Sequence, residues 1–115
     1  MSRWKLTVRA GSDVEHLSFE DLDEAVAAMR VRALEIRAEG PATKVAGFRD
    51  YGLRDQVHAR LELSTGGLLR KATAGVDLRG NGEFVPYRGG VRREELDPTV
   101  HETPFDAVRE TLAAE

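Results

Sequence analysis

Apolar positions along this chain follow two periods. Leu22, Val26, Met29, Ala33 and Ile36 recur at steps of four, three, four and three, the spacing that lines one side of an α-helix. Elsewhere the step is two. Trp4, Leu6, Val8 and Ala10, then Val57, Ala59, Leu61 and Leu63, then Ala72, Ala74, Val76 and Leu78 alternate with mostly polar residues, as strands buried on one face do. The helical run predicts a long helix over about residues 19–39. Ser18 is its expected N-cap, Asp21 a reciprocal capping partner, Leu17 and Leu22 a hydrophobic staple, and Gly40-Pro41 its stop.

The remaining elements follow from turn chemistry. A strand over 3–10 ends at Gly11-Ser12-Asp13, with a short return over 14–17. Further strands are expected over 43–51, 56–64, about 68–79 and 83–88. Asn81-Gly82 reads as a type I′ hairpin turn. Gly75, inside a strand, marks a bulge or a close backbone approach, and Pro86 marks an edge or an irregularity. Thr103, Pro104 and Asp106 sit at the N-cap, first and capping-box positions of a short C-terminal helix over about 104–114, whose apolar stripe is Phe105, Val108 and Leu112. The predicted fold is a single α+β domain over 1–115: an antiparallel sheet of about four to six strands with the long helix on one face. No motif ties the chain to a known family.

Composition narrows the function classes. The 115 residues are 32% charged and 41% apolar, as in a folded domain, and include no cysteine. That excludes disulfide scaffolds, thiol catalysis and cysteine-bound zinc. No apolar run reaches the length of a signal peptide or a membrane span, so a cytoplasmic protein without membrane contact is expected. The net charge of −3 hides an uneven distribution: residues 40–93 carry 10 basic and 5 acidic side chains, whereas 94–115 carry 1 and 7. A basic middle can attract anions, or be neutralised within the fold by the acidic tail.

Three groups of residues are candidates for function. Ala27, Val31, Leu34 and Ala38 form a second helical stripe roughly opposite the core stripe and rimmed by charge, the pattern of a helix that meets a partner. Lys5, Arg9, His58, Arg60, Lys71 and Arg79 are expected to point from the open face of the sheet, opposed by Glu62 and Asp77, and such a face can hold an anionic ligand or a nucleic-acid backbone. Arg49, Asp50, Tyr51, Arg54, Asp55 and His58 cluster around one connection, where a histidine near a carboxylate is the arrangement of a general base. His16, His58 and His101 lack metal-ligand spacing, and the calcium-loop-like run from Asp77 puts Arg79 and Arg88 where oxygen ligands belong. No metal or cofactor is expected. The first expectation is a non-enzymatic domain that forms a homo-oligomer, a dimer in the simplest case, or binds a protein partner through the helix stripe, the sheet edge near Pro86, or both. Binding of an anion or nucleic acid comes second, and an enzyme centred on His58 and Asp55 third.

Overall fold

Strand β1 (Trp4–Ala10) buries Trp4, Leu6 and Val8 and leaves Lys5 and Arg9 exposed, the one-sided burial its alternation requires. In the computed structural model, which describes residues 3–39, 57–65, 72–89, 93–97 and 99–114, a two-residue turn reverses the chain at Gly11-Ser12. Gly11 has φ +60° and Ser12 a negative φ, the type II′ form whose twist suits a hairpin. Strand β2 (Asp13–Phe19) then pairs along the whole of β1, from Ala10 opposite Asp13 to Trp4 opposite Phe19.

The long helix α1 (Leu22–Glu39) therefore begins later than its capping signals indicate. Ser18 is not a cap: it lies in β2 opposite Lys5. Asp21 precedes the first helical residue, and its carbonyl accepts from the Ala25 amide at 3.0 Å. Pairing with β1 outweighs a local cap, because the ladder satisfies more backbone groups than one serine hydroxyl can. The core stripe is as expected: Val26, Met29, Ala33 and Ile36 are buried, joined by Ala25, with Leu22 half-buried. Residues 40–56, which include the expected Gly40-Pro41 stop and the strand over 43–51, lie outside the described residues.

Strands β3 (Val57–Thr65), β4 (Thr73–Arg79), β5 (Phe84–Arg88) and the two-residue β6 (Glu94–Glu95) complete an antiparallel sheet in the order β2-β1-β3-β4-β5-β6. The β4–β5 connection differs from a type I′ turn. Asn81 keeps a negative φ while Gly82 sits at +88°. The Gly82 amide donates to the Arg79 carbonyl at 2.9 Å and the Arg79 amide to the Glu83 carbonyl at 2.8 Å. That is a three-residue loop, a type I turn ending in a left-handed glycine. The Asn81 side chain decides it, because its oxygen accepts from the Glu83 amide at 3.0 Å, a local turn closure that asparagine favours. Pro86 is not at the sheet edge, because β6 flanks β5; strand alternation turns its missing donor away from β4, toward Leu96, whose amide donates to the Pro86 carbonyl at 2.9 Å.

Both helices cover the same face. Helix α1 packs over β1 and β3, and α2 (Pro104–Ala113) over β4 and β5. The two helices also touch each other: Arg109 pairs with Asp23, and the Arg37 guanidinium lies 4.6 Å above the Phe84 ring, which meets Phe105 edge-on at 5.4 Å. Leu6, Met29, Leu61, Leu63, Val76 and Val108 close the core at 0% exposure. The expected α+β architecture, an antiparallel sheet with a long and a short helix, is the one observed, and among the described residues no helix lies on the second face. Helix α2 starts as its sequence signals require, with Thr103 Oγ1 accepting from the Asp106 amide at 3.1 Å. Thr103→Ala should therefore lower the free energy of unfolding by about 1 kcal/mol, measured as a lower urea midpoint at unchanged slope.

Candidate interaction surface

The face without helices is polar by alternation, yet its centre is not open to water. On this face Gly75 of β4 stands between Glu62 of β3 and Tyr87 of β5. A Cβ at position 75 would lie 2.3 Å from the Leu61 carbonyl oxygen, 2.9 Å from the Glu62 Cα and 2.7 Å from the Tyr87 hydroxyl. Tyr87 uses that absent side chain. Its ring crosses β4 and its hydroxyl donates to Glu62 Oε2 at 2.7 Å, so β5 is tied to β3 across the intervening strand. Arg60 and Arg93 each place a guanidinium 5.7 Å from the ring centroid, in range of an attraction between cation and π-face. Tyr87 is left only 2% exposed.

Beside it, Arg60 donates from Nε to Asp77 Oδ1 at 2.7 Å and from Nη2 to Oδ2 at 3.2 Å, a two-pronged pairing that matches guanidinium to carboxylate. Asp77 is 5% exposed and so depends on that partner. The carboxylate in turn raises the Arg60 pKa, chiefly through the hydrogen bond. Burial, followed by the Glu62 hydrogen bond and charge, pushes the Tyr87 phenol far above its ordinary value. It acts as a proton donor at every physiological pH.

The expected basic residues thus have different environments. Arg60 is held by Asp77, and Arg79 by Glu95 at 2.8 Å. His58 is the extra residue of a bulge, since Val57 faces Arg79 while Ala59 faces Leu78. Lys5 and Arg9 are exposed on β1, with Arg9 directly opposite Arg60. Lys71 lies outside the described residues, as do Arg49, Asp50, Tyr51, Arg54 and Asp55, so of that cluster only His58 is placed. Among the described residues no three His, Asp or Glu side chains gather as metal ligands. A broad depression of about 1060 Å³ at one end of the sheet is rimmed by Arg3, Arg88, His101 and Glu110. His101 Nδ1 is 3.1 Å from Glu110 Oε2, and Arg88 pairs with Glu94 at 2.7 Å.

The second stripe of α1 is on the surface. Ala27, Val31, Leu34 and Ala38 are all exposed, Val31 to 60% and Leu34 to 37%. Two further features were not anticipated by sequence reasoning. One is the Glu62–Tyr87 link, for which Gly75 was the available signal. The other is the extent of β2: the short return expected over 14–17 is a seven-residue strand, exposed from Asp13 to Ser18 and paired on one side only among the described residues. Comparison with protein-family models, curated proteins and solved structures gives no match to this chain.

The network yields two measurable outcomes. Tyr87→Phe removes a donor to a carboxylate and should cost about 1 to 2 kcal/mol at neutral pH. Because the folded pKa of Tyr87 lies above its unfolded value of 10.0, its stabilisation is complete below pH 10 and declines as pH rises beyond it. The stability difference between wild type and Tyr87→Phe should therefore shrink above pH 10 by up to about 1.4 kcal/mol per pH unit, read from denaturant melts across that range. Gly75→Ala forces a methyl group against backbone and should cost at least about 1 to 3 kcal/mol, seen in the same melts at neutral pH.

Proposed function

We propose that this chain is a small non-enzymatic domain that associates through protein–protein contact, using the side of β2 that has no strand neighbour among the described residues. The observation that carries the reading is the asymmetry of the two sheet edges. Strand β6 is two residues long, both glutamates, a short and charged edge of the kind that discourages strand addition. Strand β2 is full length and contains no proline, lysine or bulge. Natural sheets blunt their edges unless another chain uses them. The apolar side chains nearby support the same reading, with Val14 47% and Leu17 40% exposed. The stripe of Val31 and Leu34 on α1 offers a second contact surface in the same proposal.

Sedimentation velocity from low to high micromolar concentration tests this reading, with a reversible rise in mass as the expected result. A monomer throughout that range removes self-association. The double variant Val31→Glu, Leu34→Glu alters only exposed side chains and should stay folded. Unchanged assembly in that variant assigns the contact to β2, and loss of assembly assigns it to the helix.

Binding of an anion or nucleic acid is a second reading, supported by Lys5 and Arg9, which are exposed and have no carboxylate partner among the described residues. Its test is Lys5→Glu with Arg9→Glu rather than any change at Arg60, because losing Arg60 would strand the buried Asp77 carboxylate and unfold the protein for unrelated reasons. Affinity that falls steeply with salt and with that double variant is the expected result. Salt-independent binding, or none, removes this reading.

A further inference from the structure

From the backbone of the β1–β2 hairpin we infer that the occupant of the open edge is a second copy of this chain, paired antiparallel strand to strand with His16 opposite its own counterpart. The inference rests on the association reading above and specifies the partner and the register.

The hairpin fixes which groups are available. A two-residue turn makes Ala10 and Asp13 its closing hydrogen-bonded pair, and such pairs then recur at every second residue. Glu15 and Leu17 therefore direct their amides and carbonyls into β1. Val14, His16 and Ser18 present theirs to the edge.

A two-fold axis perpendicular to the sheet keeps like faces together and allows only registers in which a residue meets its own counterpart. Centring on Glu15 sets two carboxylates opposite each other, which is unfavourable. Centring on Leu17 overlaps only residues 15–19 and leaves the edge groups of Val14 unused. Centring on His16 overlaps the whole strand, Asp13–Phe19. Val14 then faces Ser18 and Glu15 faces Leu17, so every edge amide and carbonyl finds a partner and no pair sets two formal charges of one sign together at neutral pH. Helix α1 does not obstruct this approach, because Asp13 to Ser18 are all exposed.

The absence of cysteine makes a direct test possible. Residues in a hydrogen-bonded antiparallel pair have Cα atoms about 5.5 Å apart, inside the range of about 4.4 to 6.8 Å that a disulfide spans. His16→Cys, an exposed substitution, should oxidise to a single covalent dimer at concentrations where the wild type associates. It should do so more than about tenfold faster than Val31→Cys, since a held pair has an effective concentration near millimolar. A second measurement needs no variant: amide hydrogen exchange at Val14, His16 and Ser18 should slow as protein concentration rises.

The outcomes separate the levels of the proposal. Faster cross-linking at Leu17→Cys overturns the register but retains strand pairing. A wild type that associates while those amides keep exchanging at the monomer rate overturns strand pairing and leaves association in place. A wild type that stays monomeric at high micromolar concentration overturns the second copy as occupant; slowed exchange at the same amides with an added unrelated extended peptide would then preserve the interaction reading alone.

Discussion

A sheet with both described helices on one side must stabilise its other side with no second layer among the described residues, and much of the outer architecture follows from that constraint. Alternation puts polar residues there, but a strand in the middle of a sheet cannot keep all of them hydrated. Asp77 is nearly inaccessible on this face, and an unpaired carboxylate in that position would cost several kcal/mol. Arg60 neutralises it with two hydrogen bonds. Tyr87 then acts in place of a core: its ring covers the centre of the sheet, its hydroxyl reaches Glu62, and two arginines cover its faces. The crossing of Tyr87 to Glu62 depends on the missing side chain of Gly75.

That arrangement changes what the basic middle of the chain means. Counted along the sequence, residues 40–93 carry an excess of positive charge. In the fold, Arg60 is matched within its own sheet, and Arg79 and Arg88 meet Glu95 and Glu94 from the acidic end of the chain. For these three arginines, pairing of this kind weakens the local field that would steer an anion. The exposed basic character that remains among the described residues of β1 belongs to Lys5 and Arg9.

The fold was legible where local pattern and tertiary packing agree. Met29, Ala33 and Ile36 are buried as their spacing demands, and Thr103 caps α2 because nothing competes for it. Ser18 shows the opposite case. It carries a capping signature and ends in a strand, since Asp13 to Phe19 pair with β1 as a segment and Ser18 is carried into that register opposite Lys5. Strand β2 itself was read as too short because exposed strands carry little hydrophobic alternation. The Tyr87–Glu62 link was out of reach for another reason: it joins residues 25 apart across three strands, and only the register reveals that they share a face.

The same weakness of pattern in β2 bears on its role. A strand held by burial announces itself through alternation, whereas β2 is held by the Gly11 turn, by its ladder with β1, by Phe19 packed against the core and by the ion pair of Glu15 with Arg32 at 3.1 Å. Surface ion pairs of that kind contribute less than about 1 kcal/mol. The strand buries little of its own surface yet keeps its full length, although a shorter edge would leave fewer backbone groups without protein partners. Among the described residues β2 keeps its full length through its ladder with β1, and the association proposed above would use the side of the strand that this ladder leaves over.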